Sequence, residues 1–447
     1  MSWTRRDVLR AAGATVAVGP LFACGSARTP ERILFITADD LGWKDLSSAG
    51  NPNASTPNLD RLEARGVSFS HAFDVTSTCS SSRTTYATGQ YPHSHGVTGL
   101  VHRMPELSLP DGSPTLARHL RDAGYVTAIE GKFHLAFPSE ADRFGYQEVM
   151  TTLATQWIVD ASQTVDFIRR RGRERWFLEL NYMNPHRNLL GAFTQHADHP
   201  RDPAALTMPE YMVLPDVAGA REELAAYYSQ VDRMDVMIGE VVAALEADGL
   251  LDDTLIAFIS DNGSPFPHNK LTLYDRGTGT PLFFHWPAAL ESRRSAQLVS
   301  SVDLMPTLLD LAGVEIPASV QGRSLAPLLA GNDDAASDAV FGEMTAHTGP
   351  AFPMRSVRDQ RYRYIRNYND LPVPLEGGGQ DWVQALDLAE DHPWRAPRVP
   401  EELYDLEVDP NEQDNRIDDD ALAPVLARLR GRLEEHLAAT NDPYREG

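Results

Sequence analysis

Short apolar runs alternate with helical patterns along most of the chain. Five runs have the length and composition of buried strands, at residues 32–38, 125–129, 176–180, 255–259 and 281–284. Between the third and fourth runs, residues 221–250 carry apolar side chains at helical spacing. Alternation of strands and helices is typical of a sheet with helices on both faces. We therefore predict an α/β fold built on a large, mostly parallel central sheet.

Polar side chains with catalytic chemistry follow four of these runs: Asp39 and Asp40, Lys132 and His134, His186, and Asp261 and Asn262. Open parallel sheets bind ligands at the carboxyl ends of their strands, so we expect these side chains to meet at one edge. The two acidic pairs offer hard oxygen ligands, which suit Ca²⁺ or Mg²⁺, whereas zinc favours more histidine or thiolate. Either pair alone is more often a turn or a helix cap. Their shared position after strands favours a metal site.

A second, smaller region follows an acidic stretch at residues 331–338. Residues 341–344 and 361–365 alternate like antiparallel strands, and leucines at helical spacing between 422 and 437 predict an amphipathic helix. We predict a small α+β domain at residues 333–447, packed against a catalytic domain at residues 31–332.

Residues 1–30 have the pattern of an export signal and linker. Residues 4–9 contain the pair Arg5-Arg6 of a twin-arginine signal, and the apolar stretch at 11–23 is too short to span a membrane. Residues 21–24 resemble a bacterial lipobox, which predicts a lipid on Cys24; a cleaved signal with a chance cysteine is the alternative. We expect a periplasmic or cell-surface protein attached to the membrane only through that lipid.

Charge narrows the range of partners. The 447 residues include 40 Lys and Arg against 63 Asp and Glu, a formal net charge of −23. Such a surface argues against nucleic acid, because contacts to phosphate backbones depend on Lys and Arg, and it also argues against a long groove for a sulfated polymer. One anionic group in a local basic pocket remains compatible, since fields are screened beyond about 8 Å at physiological salt.

Two rare residue types mark the candidate site. Beyond the predicted signal the chain has a single cysteine, Cys79, so the mature chain has no internal disulfide. An inert buried thiol and a chemically active residue both explain it. Lysine is also rare against a background of arginine, with only Lys44, Lys132 and Lys270. A lysine supplies a compact, titratable charge, and two of the three fall in candidate site segments.

The segment that begins at Cys79 resembles the signature of the type I sulfatases. Residues 79–83 read Cys-x-Ser-x-Arg, residues 84–89 continue to a Thr-Gly pair, and residues 91–96 extend the similarity. Further matching segments follow in family order at residues 35–40, 131–134, 184–186, 259–263 and 403–412. The resemblance covers nearly the whole mature chain and implies an alkaline-phosphatase-like fold.

The resemblance also implies the roles of the site residues. A maturation enzyme would oxidise Cys79 to formylglycine, the nucleophile, beside a calcium ion, which is favoured over magnesium. The implied metal ligands are Asp39, Asp40, Asp261, Asn262 and the residue at position 79. The other implied catalytic residues are Arg83, Lys132, His134, His186 and Lys270.

Within this set the resemblance separates three tasks. Arg83 and Lys132 would hold the formylglycine hydroxyls, and His134 would accept a proton from one of them. His186 and Lys270 would bind the sulfate, and one of them would protonate the leaving group. Ser81 stands where many members of the family have proline, which leaves the completeness of Cys79 conversion open.

Several segments are most similar to the heparan N-sulfatases (sulfamidases) of this family, at residues 184–187, 231–235, 261–267 and 353–357. The implied reaction is cleavage of the S–N bond of a terminal N-sulfoglucosamine. Lys270 stands where that subfamily has arginine. His102, His347 and Arg355 are predicted sugar contacts, with a solvated surface role as the alternative for each.

Three other functions compete with this hypothesis. The first is an O-sulfatase that acts on another sulfated carbohydrate. The second is a phosphate or phosphonate monoester hydrolase of the same superfamily, although the zinc phosphatases use serine or threonine as nucleophile. The third is a catalytically silent lipoprotein that binds glycans.

Overall fold

The computed structural model describes residues 28–151, 159–188, 190–386, 388 and 390–445. The predicted export signal and its Cys24 lie outside the described residues. No described helix combines the length and the apolar character needed to cross a bilayer.

A sheet of eight strands forms the centre of the larger part of the molecule. In chain order, its strands are β1 (Arg32–Asp39), β2 (Val67–Phe73), β3 (Val126–Gly131), β4 (Glu148–Val149), β5 (Trp176–Pro185), β6 (Thr254–Ser260), β7 (Leu282–His285) and β8 (Arg293–Ser300). They lie in the order β4-β3-β5-β1-β6-β7-β2-β8, and among them β7 alone runs antiparallel to its neighbours. The prediction of a large, mostly parallel sheet is confirmed.

Helices cover both faces of this sheet. They are α1 (Pro57–Ala64), α2 (Cys79–Thr88), α3 (Pro92–His95), α4 (Leu116–Asp122), α5 (Ala161–Arg171), α6 (Ala218–Ala247), α7 (Asp275–Thr278), α8 (Leu304–Leu311) and α9 (Ala326–Leu329). Along β1, Ile33 and Phe35 pack towards α2, α4 and α8, whereas Leu34 and Ile36 pack towards α1, α5 and α6. Successive strand residues point to opposite faces, so a strand covered on both sides is apolar throughout.

A smaller antiparallel sheet follows in the C-terminal part of the chain. Its strands are β9 (Val340–Met344), β10 (Met354–Arg358), β11 (Tyr362–Asn367) and β12 (Glu401–Asp405), in the order β12-β11-β10-β9. Two helices accompany it, α10 (Asp381–Ala385) and α11 (Ala423–Ala439). The leucines of α11 pack on one face, and Leu271 and Leu273 pack on the other. The small sheet therefore supports the segment that carries Lys270.

The predicted smaller α+β region corresponds to this sheet and its helices. The boundary predicted between residues 332 and 333 falls between α9 and β9. The helix predicted at residues 221–250 is α6, which begins three residues earlier and ends at Ala247.

Candidate active site

The carboxyl ends of β1 and β6 bring the acidic residues together, because these two strands are parallel neighbours in the sheet. Asp39, Asp40, Asp261 and Asn262 are all fully buried. Asp40 has a left-handed backbone with φ 70°. Its backbone N–H donates to Asp261 Oδ1 at 3.1 Å, and Asn262 Nδ2 donates to Asp40 Oδ1 at 2.7 Å. The strand ends thus form one compact group of oxygen ligands.

Cys79 is the first residue of α2 and lies against this acidic group. Thr78 precedes it with extended backbone, and Gly89 ends the helix in the left-handed conformation with φ 64°. Cys79 Sγ lies 3.6 Å from Asp39 Oδ1 and 3.8 Å from Asn262 Oδ1. Burial raises the pKa of the Cys79 thiol, so the unmodified side chain is a neutral thiol.

Two lysines neutralise the acidic group. Lys270 Nζ lies 2.6 Å from Asp40 Oδ1 and 3.3 Å from Cys79 Sγ, and Lys132 forms a buried ion pair with Asp39. Burial alone would raise the pKa of each carboxyl group. The charge of Lys132 at Asp39 and of Lys270 at Asp40, with other cations nearby, outweighs burial and lowers the pKa of both.

Arg83 also contacts the carboxylates. Its Nε donates to Asp261 Oδ2 at 2.9 Å, its Nη1 to Thr37 Oγ1 at 2.7 Å, and its Nη2 to Asp39 Oδ2 at 3.3 Å. The sequence predicts Arg83 beside the formylglycine hydroxyls. In the structure its guanidinium contacts two of the predicted metal ligands, Asp39 and Asp261, and its role toward the formylglycine stays a prediction.

A cleft of about 240 Å³ opens above Cys79. Six other predicted site residues line it, namely His102, Lys132, His134, His186, Lys270 and His347. His186 Nε2 lies 3.6 Å from Asp40 Oδ2. Burial, followed by the charge of Lys132, lowers the pKa of His134 well below its usual value and that of His102 to about 4. Both imidazoles are therefore neutral near pH 7.

Arg355, a predicted sugar contact, lies outside this cleft. Its side chain is 1% exposed, and its Nε donates to Asp442 Oδ2 at 2.6 Å. Arg355 Nη1 donates to the carbonyls of Met344 and Met354. The guanidinium is thus used within the smaller sheet and its C-terminal segment, and it is not available to a sugar in the cleft.

Sequence reasoning missed several residues that line the cleft. Arg103 and Glu376 contribute charged side chains, and Thr348 and Asn188 contribute polar ones. None belongs to a motif whose spacing indicates chemistry. The sole signal near Glu376 is the glycine run at residues 377–379, which indicates a loop but not its position.

Comparisons with known proteins show which family the sequence matches. The family model described as Sulfatase matches residues 31–314, and the model described as N-sulphoglucosamine sulphohydrolase, C-terminal, matches residues 267–374. The chain is 30% identical to N-sulphoglucosamine sulphohydrolase of Homo sapiens, across 93% of this chain and 91% of that protein. The chain belongs to the sulfatase family.

Solved structures show the same fold. A protein solved with its substrate D-glucosamine-2-N,6-O-disulfate aligns with a TM-score of 0.72 at 21% identity, over 94% of this chain and 99% of the other. A phosphonate monoester hydrolase from Silicibacter pomeroyi aligns with a TM-score of 0.67 at 21% identity, over 92% and 95% of the two chains. The alkaline-phosphatase-like fold of the sulfatases is therefore confirmed. Because a phosphonate hydrolase shares it, the fold does not decide the substrate.

Sulfatases generally use a metal ion and a formylglycine, and the residues present fit a metal. Ligand atoms of Asp39, Asp40, Cys79 and His186 all lie within 4.8 Å of one another. Asp40 Oδ2 is buried and has no hydrogen-bond partner in the described part of the chain. Buried carboxylates with an adjacent amide oxygen are the ligands that hard divalent cations prefer.

Proposed function

We propose that this sulfatase releases sulfate from N-sulfoglucosamine at a glycan end, with a formylglycine derived from Cys79 as the nucleophile. The observation that carries the proposal is the setting of Cys79 between the acidic group and Lys270, at the base of a cleft rich in cationic and imidazole side chains. The N-sulfated substrate is supported by the match to the N-sulphoglucosamine sulphohydrolase C-terminal model and by the human relative of that name.

The proposed calcium ion would be held by Asp39, Asp40, Asp261, Asn262 and the residue at position 79. When bound, it would supply positive charge beside the nucleophile and the sulfuryl oxygens. Lys132 and Arg83 keep Asp39 in place from two sides. Position 79 lies at the N-terminus of α2, where the helix dipole favours negative charge on the nucleophile.

The proton transfers can be assigned from the side chains of the cleft. His134 is a neutral imidazole whose Nδ1 has no hydrogen-bond partner in the described part of the chain, so it can accept a proton from a hydroxyl at position 79. Lys270, 3.3 Å from Cys79 Sγ, is placed to bind the sulfuryl group and to donate a proton to the leaving atom. His186 lies on the same side, near Asp40.

The size and charge of the molecule favour a small substrate or a chain end. The cleft of about 240 Å³ has room for about one sugar ring. The formal net charge of −23 disfavours a long polyanion elsewhere on the surface. His102 and His347, which line the cleft, remain predicted sugar contacts.

The predicted location is part of the same proposal. Export by the twin-arginine route would carry a protein that is already folded across the membrane, and a lipid on Cys24 would then anchor it at the periplasmic or cell surface. The signal residues are the only support for this part of the proposal.

Sulfate release from two sugars tests the proposal. Protein whose position 79 is converted to formylglycine, as measured by peptide mass, is assayed with calcium on N-sulfoglucosamine and on 6-O-sulfated N-acetylglucosamine. We expect release from the N-sulfated sugar and little from the O-sulfated one. Release only from the O-sulfated sugar would support the O-sulfatase alternative, and no release despite full conversion would remove both sugars as substrates.

A further inference from the structure

The cleft above Cys79 contains one acidic side chain that no sulfatase motif explains. Arg103, Lys132 and Lys270 supply positive charge to its lining. Among the described residues that line it, Glu376 is the one carboxylate. A site that only had to bind a sulfate dianion or sulfate ester would gain nothing from a negative charge there, because like charges repel the ligand.

The Glu376 carboxylate has no partner in the described part of the chain. It accepts no hydrogen bond and forms no ion pair within 4.0 Å, although the side chain is half-buried. Glu376 and Lys270 line the same cleft, together with Cys79.

The loop that carries Glu376 is fixed against the cleft wall. Gly377 has φ 69°, and a Cβ at this position would lie 2.7 Å from Arg187 Nη2, so the backbone packs directly on that guanidinium. Arg187 is itself paired with Glu223, with Nη2 to Oε2 at 2.9 Å. Gln380 Nε2 donates to the carbonyl of Gly191 at 2.5 Å. Contacts made by the residues that follow Glu376 therefore fix its loop at the cleft wall.

Cleavage of a sulfamate and of a sulfate ester leave different charges on the leaving group. When the S–N bond breaks, the sulfuryl group bonds to the nucleophile oxygen, and the nitrogen takes the electron pair and one proton to become an amine. A second proton from water gives the ammonium form at neutral pH. When an S–O bond breaks, the oxygen takes the electron pair and one proton and remains a neutral hydroxyl. A carboxylate beside the leaving atom stabilises only the first outcome.

We propose that Glu376 is a specificity-determining residue that favours an amine leaving group by stabilising the positive charge on the glucosamine nitrogen. This inference rests on the proposed function, because it assumes that the leaving group departs on the Lys270 side of the same cleft. It assigns the preference for a nitrogen over an oxygen leaving atom to a residue of the C-terminal part of the chain, rather than to the residues proposed to bind the sulfate.

Replacing the carboxylate by an amide tests the inference. Calcium-loaded wild type, Glu376→Gln and Glu376→Asp are compared in kcat/KM on N-sulfoglucosamine. Calorimetry then gives the affinity of each protein for glucosamine and for N-acetylglucosamine, which has no ammonium group. Asp381→Asn is the matched control, because it removes one exposed negative charge from the same segment without lining the cleft.

For Glu376→Gln we expect kcat/KM and glucosamine affinity to fall by about tenfold, as for loss of one charge-assisted contact. N-acetylglucosamine affinity should stay unchanged, Glu376→Asp should recover part of the loss, and Asp381→Asn should match wild type. The inference is overturned by unchanged glucosamine affinity in Glu376→Gln, or by equal weakening of both sugars. Wild type that binds glucosamine in this Glu376-dependent way but leaves N-sulfoglucosamine intact would overturn the proposed function alone.

Discussion

Two clusters of buried charge in this molecule differ in what they leave unpaired. We call His93, Glu343, Arg355 and Asp442 the interface network, since they join α3 to the small sheet and the C-terminal segment. In this network His93 Nδ1 lies 2.5 Å from Glu343 Oε2, and Arg355 Nε lies 2.6 Å from Asp442 Oδ2. Each of its charges has an opposite charge as a partner.

We call Asp39, Asp40, Cys79, Lys132, His134 and Lys270 the catalytic group. It is equally buried, but some of its polar atoms have no partner among the described residues. Asp40 Oδ2 and His134 Nδ1 are buried and have no hydrogen-bond partner in the described part of the chain. An unsatisfied buried polar atom costs about 1–3 kcal/mol, so two such atoms beside a cleft indicate a site that a ligand completes. The comparison separates two uses of buried charge. Fully paired charges join α3 to the small sheet and the C-terminal segment, whereas unpaired polar atoms beside the cleft are available to a ligand.

The largest expected effect lies at the catalytic group. Cys79→Ala removes the atom that becomes the nucleophile, so we expect sulfate release to fall by about 10⁴-fold or more, as when other enzymes lose their nucleophile. The midpoint of thermal unfolding should change little by comparison. Sulfate release that survived at the wild-type rate would remove Cys79 from the mechanism.

A substitution in the interface network should have the opposite effect: it should lower stability and leave substrate binding unchanged. Arg355→Met leaves Asp442 buried without its cation, and breaking a buried pair costs about 3–5 kcal/mol of the free energy of unfolding. KM of the folded protein should not change, because Arg355 lies outside the cleft. Arg170→Met, which breaks an exposed pair with Glu148, is the control and should cost less than about 1 kcal/mol. A raised KM without loss of stability would restore Arg355 as a sugar contact.

Calcium should stabilise the protein by binding the buried carboxylate oxygens of the catalytic group, of which Asp40 Oδ2 has no hydrogen-bond partner among the described residues. At a calcium concentration about 100 times Kd, binding to the folded state alone adds about 2.7 kcal/mol to the free energy of unfolding. Asp40→Asn removes one carboxylate ligand, so we expect the calcium-dependent stabilisation and sulfate release to be lost together. Denaturant unfolding with calcium and with chelator measures the difference. An equal calcium effect in Asp40→Asn would place the ion elsewhere.

The smallest expected effect is a pH dependence in the interface network. Burial lowers the pKa of His93, but the hydrogen bond and charge of Glu343 outweigh burial and raise it above its usual value. A raised folded-state pKa gives stability that is complete below the unfolded value of about 6.5 and is lost as pH rises through the folded value. The difference in unfolding midpoint between wild type and His93→Gln should therefore shrink as pH rises. A difference that grew with pH would contradict the assignment.

The sequence predicted the parts of the fold in which the pattern is strong. Strands β1 and β6 are covered on both faces, so their apolar runs are continuous and readily identified. Strand β2 was not predicted, because Ser68, Ser70 and His71 interrupt its apolar residues, and β8 was missed because it begins with two arginines. The reversed direction of β7 leaves no trace in its composition, since direction depends on its neighbours in the sheet.

The sequence predicted the site residues that belong to motifs. It missed the site residues that stand alone in loops. Parallel strand ends must meet at one edge, which brings Asp39 and Asp261 together as the pattern predicts. Local sequence does not specify the partner of a charged side chain, so the pairing of Arg355 with Asp442, 87 residues further along the chain, was not predictable. For the same reason the sequence did not predict that Glu376 lines the cleft, because its position depends on how its loop packs on Arg187.

The central claim is that residue 79, once converted to formylglycine, is the nucleophile of an N-sulfoglucosamine hydrolase. The most direct measurement compares preparations in which peptide mass gives different fractions of conversion at this position. Sulfate release from N-sulfoglucosamine per mole of protein should rise in proportion to the converted fraction, from near zero in unconverted protein. Full release by protein that retains the Cys79 thiol would contradict the account.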